Sequence, residues 1–151
     1  MCYRLAISHP SRHPLPPAEA FSLRELRLAE APHGVEVLSI EIGGCACGLV
    51  WDETSDSTPA EVARWRKKGW SEAKIQRAVG ARMQARARSH GERPALERWL
   101  AEAVRAAPGV RVLVSEHGDV EPPPGTGTDA TVEEFLKAPL RYKGEWVRLR
   151  A

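Results

Sequence analysis

The chain has 151 residues, 42% hydrophobic and 28% charged, which suits one soluble domain with its own core. No apolar run approaches the roughly 18 residues of a membrane helix, the apolar stretch after Met1 is only Leu5-Ala6-Ile7, and three cysteines make no disulfide framework. A cytoplasmic protein with no membrane partner is therefore expected, with a formal net charge of only +2 that hides a strong asymmetry: twelve Lys/Arg and four Asp/Glu between Val62 and Arg105 give that stretch +8 and leave −6 elsewhere.

Cys2–Ser8 (CYRLAIS) alternates and predicts a strand, ended by His9-Pro10 and a proline-rich loop to Pro17. Phe21, Leu23, Leu26 and Leu28 among charges predict a helix over 18–30, closed by Pro32 and Gly34. Val35–Ile42 (VEVLSIEI) is rich in β-branched residues and predicts a strand. Gly43-Gly44 before Cys45–Trp51 (CACGLVW) is a hairpin signal, the alternative being a loop that carries the cysteines past the sheet edge. The acidic stretch 52–57 then reads as a loop.

Thr58, Pro59 and Glu61 form a helix start: a cap, a first-turn proline and a capping-box acid. That helix runs to about Gly69. Ser71 caps a second helix toward Ser89-His90-Gly91, with Ile75, Ala78, Val79 and Met83 at helical spacing. Pro94 opens a third, with Leu96, Trp99, Leu100, Ala103 and Val104 on one face, ended by Pro108-Gly109. Val110–Glu116 (VRVLVSE) predicts a strand, and 119–130 a flexible Pro/Gly loop. Thr131 and Glu134 form a second capping box for a short helix that Pro139 stops, and Glu145–Leu149 closes the chain as a strand. The fold class expected is α+β: a single domain over 1–151, its one mostly antiparallel sheet of about four to five strands covered by about three to five helices. Most of the five tryptophans should anchor its core.

The basic helical segment 59–107 is the first candidate site. Arg64, Arg66, Lys67, Lys68, Lys74, Arg77, Arg82, Arg86 and Arg88 are its candidate polyanion-binding residues, with Arg93 just beyond. On a helix, Lys74, Arg77 and Arg88 fall near one stripe and Arg82, Arg86 and Arg93 on the next, with the Ile75/Val79/Met83 stripe opposite facing the core. Crowding like charges at helical spacing costs only a few tenths of a kcal/mol per pair. Such a face fits an anionic macromolecule, either nucleic acid or an acidic protein surface. The plainer alternative is a solvated face offset by the acidic rest of the chain, or by a neighbouring copy in a homo-oligomer without independent activity.

Val62, Ala63, Arg64, Gly69, Ser71, Ile75, Arg77 and Gly80 carry a local resemblance. Residues 61–80 of the 151 resemble the first two helices of the helix-turn-helix in resolvase-type DNA-binding domains. The resemblance implies DNA as the partner. Those domains open a short recognition helix after a glycine like Gly80; here Ala81-Arg82-Met83-Gln84 continues as helix, and Trp65 stands where a smaller aliphatic residue is usual. No base-reading residue is identified this way.

The second candidate is Cys45-Ala46-Cys47 between glycines. Two thiols at this spacing share one face of an extended segment and can supply two of the four ligands a structural zinc requires, or redox chemistry. Cys2 is the only other thiol, and His9, His13, His33, His90 and His117 are scattered, so no second ligand pair completes the set. The plain reading is two small residues in a Gly-rich turn. No phosphate loop, nucleophile elbow or metalloprotease motif is present, and no catalytic residue is assigned. His9 and His13 beside prolines, and Glu116-His117-Gly118-Asp119 at a strand end, are pocket positions without a nucleophile.

Overall fold

The computed structural model describes residues 3–42, 46, 49–50, 58–119, 121–125 and 127–151, with side chains for all of these but 58 and 83–91. The strands are β1 (Tyr3–Pro10), β2 (Ser22–Glu25), β3 (Val35–Glu41), β4 (Arg111–Glu116), β5 (Thr128–Thr131) and β6 (Trp146–Arg150). They form one sheet in the order β2-β3-β1-β4-β6-β5, all antiparallel except the β5–β6 pair. The helices are α1 (Thr58–Lys67), α2 (Glu72–Ala106) and α3 (Val132–Lys137), followed by a 3₁₀ turn at Pro139–Tyr142. This is the expected α+β, single-sheet architecture, with six strands against the about four to five of the sequence pattern.

Central β1 sets both faces of the sheet. Leu5 pairs with Ile40 and Val114, and Ile7 with Leu38 and Val112, so these side chains share one face. That face is the main core, closed by Leu96, Trp99, Leu100 and Ala103 of α2 and by Val132, Phe135 and Leu136 of α3. Each large aliphatic or aromatic side chain buried here contributes about 1.5–3 kcal/mol. The other face carries Ala6, Val37, Leu113 and Trp146, backed by Leu26, Leu28 and Val35. A loop crosses this second face: the Glu121 carboxylate accepts from Arg4 and from Ser115 Oγ (3.2 Å), and Trp146 Nε1 donates to the Pro122 carbonyl at 2.7 Å. These contacts tie the described part of the Pro/Gly loop to the sheet.

Three sequence expectations change. The helix expected over 18–30 is instead strand β2 with flanking loop. Phe21/Leu23 and Leu26/Leu28 are spaced by two, the strand period. Leu23 accordingly pairs with Ile40, while Phe21 meets Trp99 edge-on at 5.0 Å. The separate helices expected before Gly91 and from Pro94 are one 35-residue helix, α2, with Pro94 inside it. The loop expected over 119–130 gives way at Thr128 to β5, whose parallel pairing with β6 lacks the hairpin signal that marks antiparallel neighbours.

Two of the polar positions turn out structural. His9 is 3% exposed at the end of β1; its Nδ1 lies 2.9 Å from the His13 carbonyl, and its Nε2 3.3 Å from Glu36 Oε2. Asp119 folds back so that its carboxylate accepts from the Glu116 backbone N–H at 3.1 Å, while Glu116 pairs with Lys143 at 2.5 Å. Both arrangements close turns.

The second capping box forms as read: Thr131 Oγ1 accepts from Glu134 N at 3.1 Å, and Glu134 Oε2 from Thr131 N at 2.8 Å. The Thr131 backbone bond, and then its hydroxyl, hold the Glu134 carboxyl below its ordinary 4.5. Asp129 is likewise held below 3.8 by the Arg148 guanidinium, at 2.8 and 2.6 Å. For groups depressed in the folded state, the stabilisation is complete above the unfolded pKa and is lost as pH falls through the folded value. Urea midpoints are therefore expected to stay level from about pH 7 to about pH 5 and to fall below about pH 4.5. A midpoint still level at about pH 3 would refute these pairings.

Candidate polyanion-binding site

The basic segment folds into a helical hairpin, and its turn is specified residue by residue. α1 closes at Gly69, whose φ of 77° is a left-handed conformation that glycine accepts without strain. Trp70 N–H bonds to the Trp65 carbonyl (3.1 Å) and Gly69 N–H to the Arg66 carbonyl (3.0 Å). This is the Schellman closure of a helix C-terminus, which also brings the residue after the glycine onto the last turn of the helix. Trp70 and Trp65 occupy those two positions and stack at 5.2 Å with planes 6° apart. Ser71 then caps α2 at once, its hydroxyl accepting from Lys74 N at 3.3 Å. Sequence reading found the glycine and the cap but missed the staple. The signal was present: two aromatics five apart, with a glycine between them next to the second.

α1 packs along the first part of α2. Ile75 is buried and Val79 half-buried, yet neither belongs to the sheet core, to which α2 contributes, among the described residues, from Leu96 onward. Arg82, expected on a stripe opposite Ile75, is seven residues on from it and so shares its side of the helix, and it meets α1 by pairing with Glu61 and placing its guanidinium carbon 5.4 Å from the Trp65 ring centre. Of the stripe expected to face the core, Ile75 and Val79 are in neither core cluster and lie on the side of α2 from which Arg82 reaches α1, while the Met83 side chain is outside the described residues. Helix α2 serves two bodies: its first turns belong to the hairpin and its last turns to the sheet.

The hairpin's charges sort into three groups. Glu61 and Glu72, its two acids, are both used internally, Glu61 by Arg82 and Glu72 by a two-pronged contact from Arg66 at 2.8 and 3.3 Å. The Arg66 hydrogen bond holds the Glu72 carboxyl below its ordinary value, and the same contact raises Arg66. Lys74 Nζ sits 4.1 Å from the Trp70 ring centre. Arg64, Lys67, Lys68 and Arg77 are exposed and have no ion pair among the described residues; Arg77 spends only Nε, on the Ala73 carbonyl at 3.3 Å. Arg64, Lys67 and Lys68 follow helical spacing at the C-terminal end of α1, where the helix dipole favours positive charge. Arg86 and Arg88 lie on α2, but their side chains are outside the described residues. Arg93 turns inward and donates to the Leu136 carbonyl, leaving the basic face.

The remaining candidates do not converge on chemistry. Cys45 and Cys47 lie outside the described residues, as do the Gly43-Gly44 turn before them and Trp51; their neighbours Ala46, Leu49 and Val50 are in the core. Among the described residues no group of three or more His, Cys, Asp or Glu could hold a metal. A hollow of about 700 Å³ beside β2 and β3 is lined by Leu26, Leu28, Val35 and Val37 with Glu25, Arg27 and Glu36, and its lining has no nucleophile–base pair. No helix among the described residues is long and apolar enough to cross a membrane. Comparison with protein-family models, curated proteins and solved structures gives no match, so the reading of the hairpin stands on its own geometry.

Proposed function

We propose that this is a non-enzymatic, cytoplasmic binding protein whose α1–α2 hairpin docks on an anionic macromolecule, nucleic acid before an acidic protein surface. The observation that carries the reading is that Arg64, Lys67, Lys68 and Arg77, on either side of a rigidly capped turn, are exposed without an ion pair among the described residues, on a hairpin whose two acids are already paired. A solvated helix face needs no such sorting: Glu61 and Glu72 brace the hairpin and leave the outward cations uncompensated. The resemblance of residues 61–80 to a resolvase-type helix-turn-helix supports nucleic acid as the class. Binding of this kind is electrostatic, releases counterions and weakens steeply with salt.

Retention on a polyanion column tests it. The triple variant Lys67→Glu, Lys68→Glu and Arg77→Glu is expected to elute at the start of the salt gradient while its helical circular dichroism stays unchanged. These side chains are exposed and hold no ion pair among the described residues, so the cost to the fold should be confined to the lost interaction of Lys67 and Lys68 with the α1 C-terminus, about 1–2 kcal/mol. Retention equal to that of the unaltered protein would overturn the assignment.

A further inference from the structure

Resting on that reading, we infer that the hairpin takes duplex nucleic acid by its phosphate backbone and has no stacking platform for unpaired bases. Proteins that hold single strands combine a basic groove with aromatic faces on which bases stack. The hairpin has two tryptophans at its turn, so the question is whether a ring face is open. Neither is. Trp65 and Trp70 cover each other at 5.2 Å and 6°, a separation with no room for a third group. Lys74 lies over Trp70 at 4.1 Å, and Arg82 approaches the centre of Trp65 at 5.4 Å. A base entering on either side would have to expel a cation held by the ring's own quadrupole. For Arg82 it would also strand Glu61, its ion-pair partner.

The course of α2 is the second observation. In a helix-turn-helix, base reading comes from a separate second helix laid in the major groove. Here α2 runs unbroken through Gly80 to Ala106, so no separate helix opens directly after Gly80 to be inserted. Among the described residues the hairpin presents Arg64, Lys67, Lys68 and Arg77 on two braced helices, a set of point and forked charges without a separate base-reading helix. Duplex carries a charge every ~1.7 Å along its axis and releases more counterions per contact than a single strand. With stacking removed from the comparison, the duplex is the tighter ligand.

Equilibrium binding of the full chain to a duplex, and to one of its strands at the same length, decides this across a salt series. The duplex is expected to bind about tenfold or more tighter at about 50 mM salt, with a log–log salt slope of about −3.6 for four phosphate contacts. Two unrelated duplex sequences should agree within about threefold, since each base discriminated would add far more. Neutralising Arg64→Gln or Arg77→Gln should each reduce the slope by about 1. Intrinsic tryptophan fluorescence should not respond to single strand. The inference falls if the single strand binds as tightly as the duplex, or if it quenches a signal that Trp70→Leu removes. Binding to neither nucleic acid at about 50 mM salt would instead remove the polyanion reading on which the inference rests.

Discussion

Replacing Gly127 by alanine is expected to cost about 3 kcal/mol or more, at the upper end of what overpacking does in a protein interior. A Cβ at this position would lie 1.7 Å from the Trp146 carbonyl oxygen and 2.9 Å from its carbonyl carbon. Both are backbone atoms of β6, so no side-chain rotation relieves the clash. β5 would have to move away from β6, losing the register that pairs Thr128 with Val147 and Ala130 with Leu149. Trp146 cannot give way either, because its indole is 3% exposed on the second face and bonded to the Pro122 carbonyl. At about 2–4 °C per kcal/mol for a chain of this size, the Tm should fall by about 6–12 °C. Gly125 is the control: its nearest atom would be 3.7 Å away, ordinary contact, and Gly125→Ala should stay within about 0.5 kcal/mol. Equal melting of the two variants would show that the close approach at Gly127 does not exist.

The second large effect has the opposite sign. Pro94→Ala is expected to stabilise the protein by about 2 kcal/mol. Proline inside a helix removes the N–H that would bond the carbonyl four residues back and crowds that carbonyl, at about 3 kcal/mol relative to alanine. Losing proline's restriction of the unfolded chain returns about 0.4–1 kcal/mol. Pro94 is exposed on α2 and contributes nothing to either core cluster, so no packing is lost. Thermal melting followed by helical dichroism should shift upward by about 4–8 °C. A lower Tm in Pro94→Ala would mean that the proline serves the helix in a way its exposure does not reveal.

The inner strands of the sheet and the helix starts could be read from residue pattern because their signals are local. Alternating or β-branched apolar runs marked β1, β3, β4 and β6, and the caps at Ser71 and Thr131 announced helices that begin where expected. The misreadings share one cause, tertiary support overriding a local signal. Gly91 and Pro94 would end an isolated helix; α2 continues because its two ends are held separately, by α1 near Ile75 and Arg82 and by the sheet near Leu96 to Ala103. β2 and β5 are four residues each, too short for pattern alone, and exist through their neighbours. At the candidate site the cations were legible as charge, but their sorting was not. That Arg82 faces Trp65, Arg66 spans the turn to Glu72 and Arg93 reaches Leu136 depends on the angle between two helices and on contacts 43 residues apart.

Helix α2 is long enough to act as a lever. From Pro94 back to Glu72 it spans about 33 Å at 1.5 Å per residue, and the hairpin turn lies at its far end. Proline interiors are where helices bend. A change of about 10° at Pro94 would carry the turn with Lys67 and Lys68 through about 6 Å, and Arg77 through about 4 Å, while the sheet stays still. That displacement is close to the spacing of successive phosphates. A small angular adjustment at one residue would thus let a fixed set of charges find its register on a partner whose repeat it was not built to match.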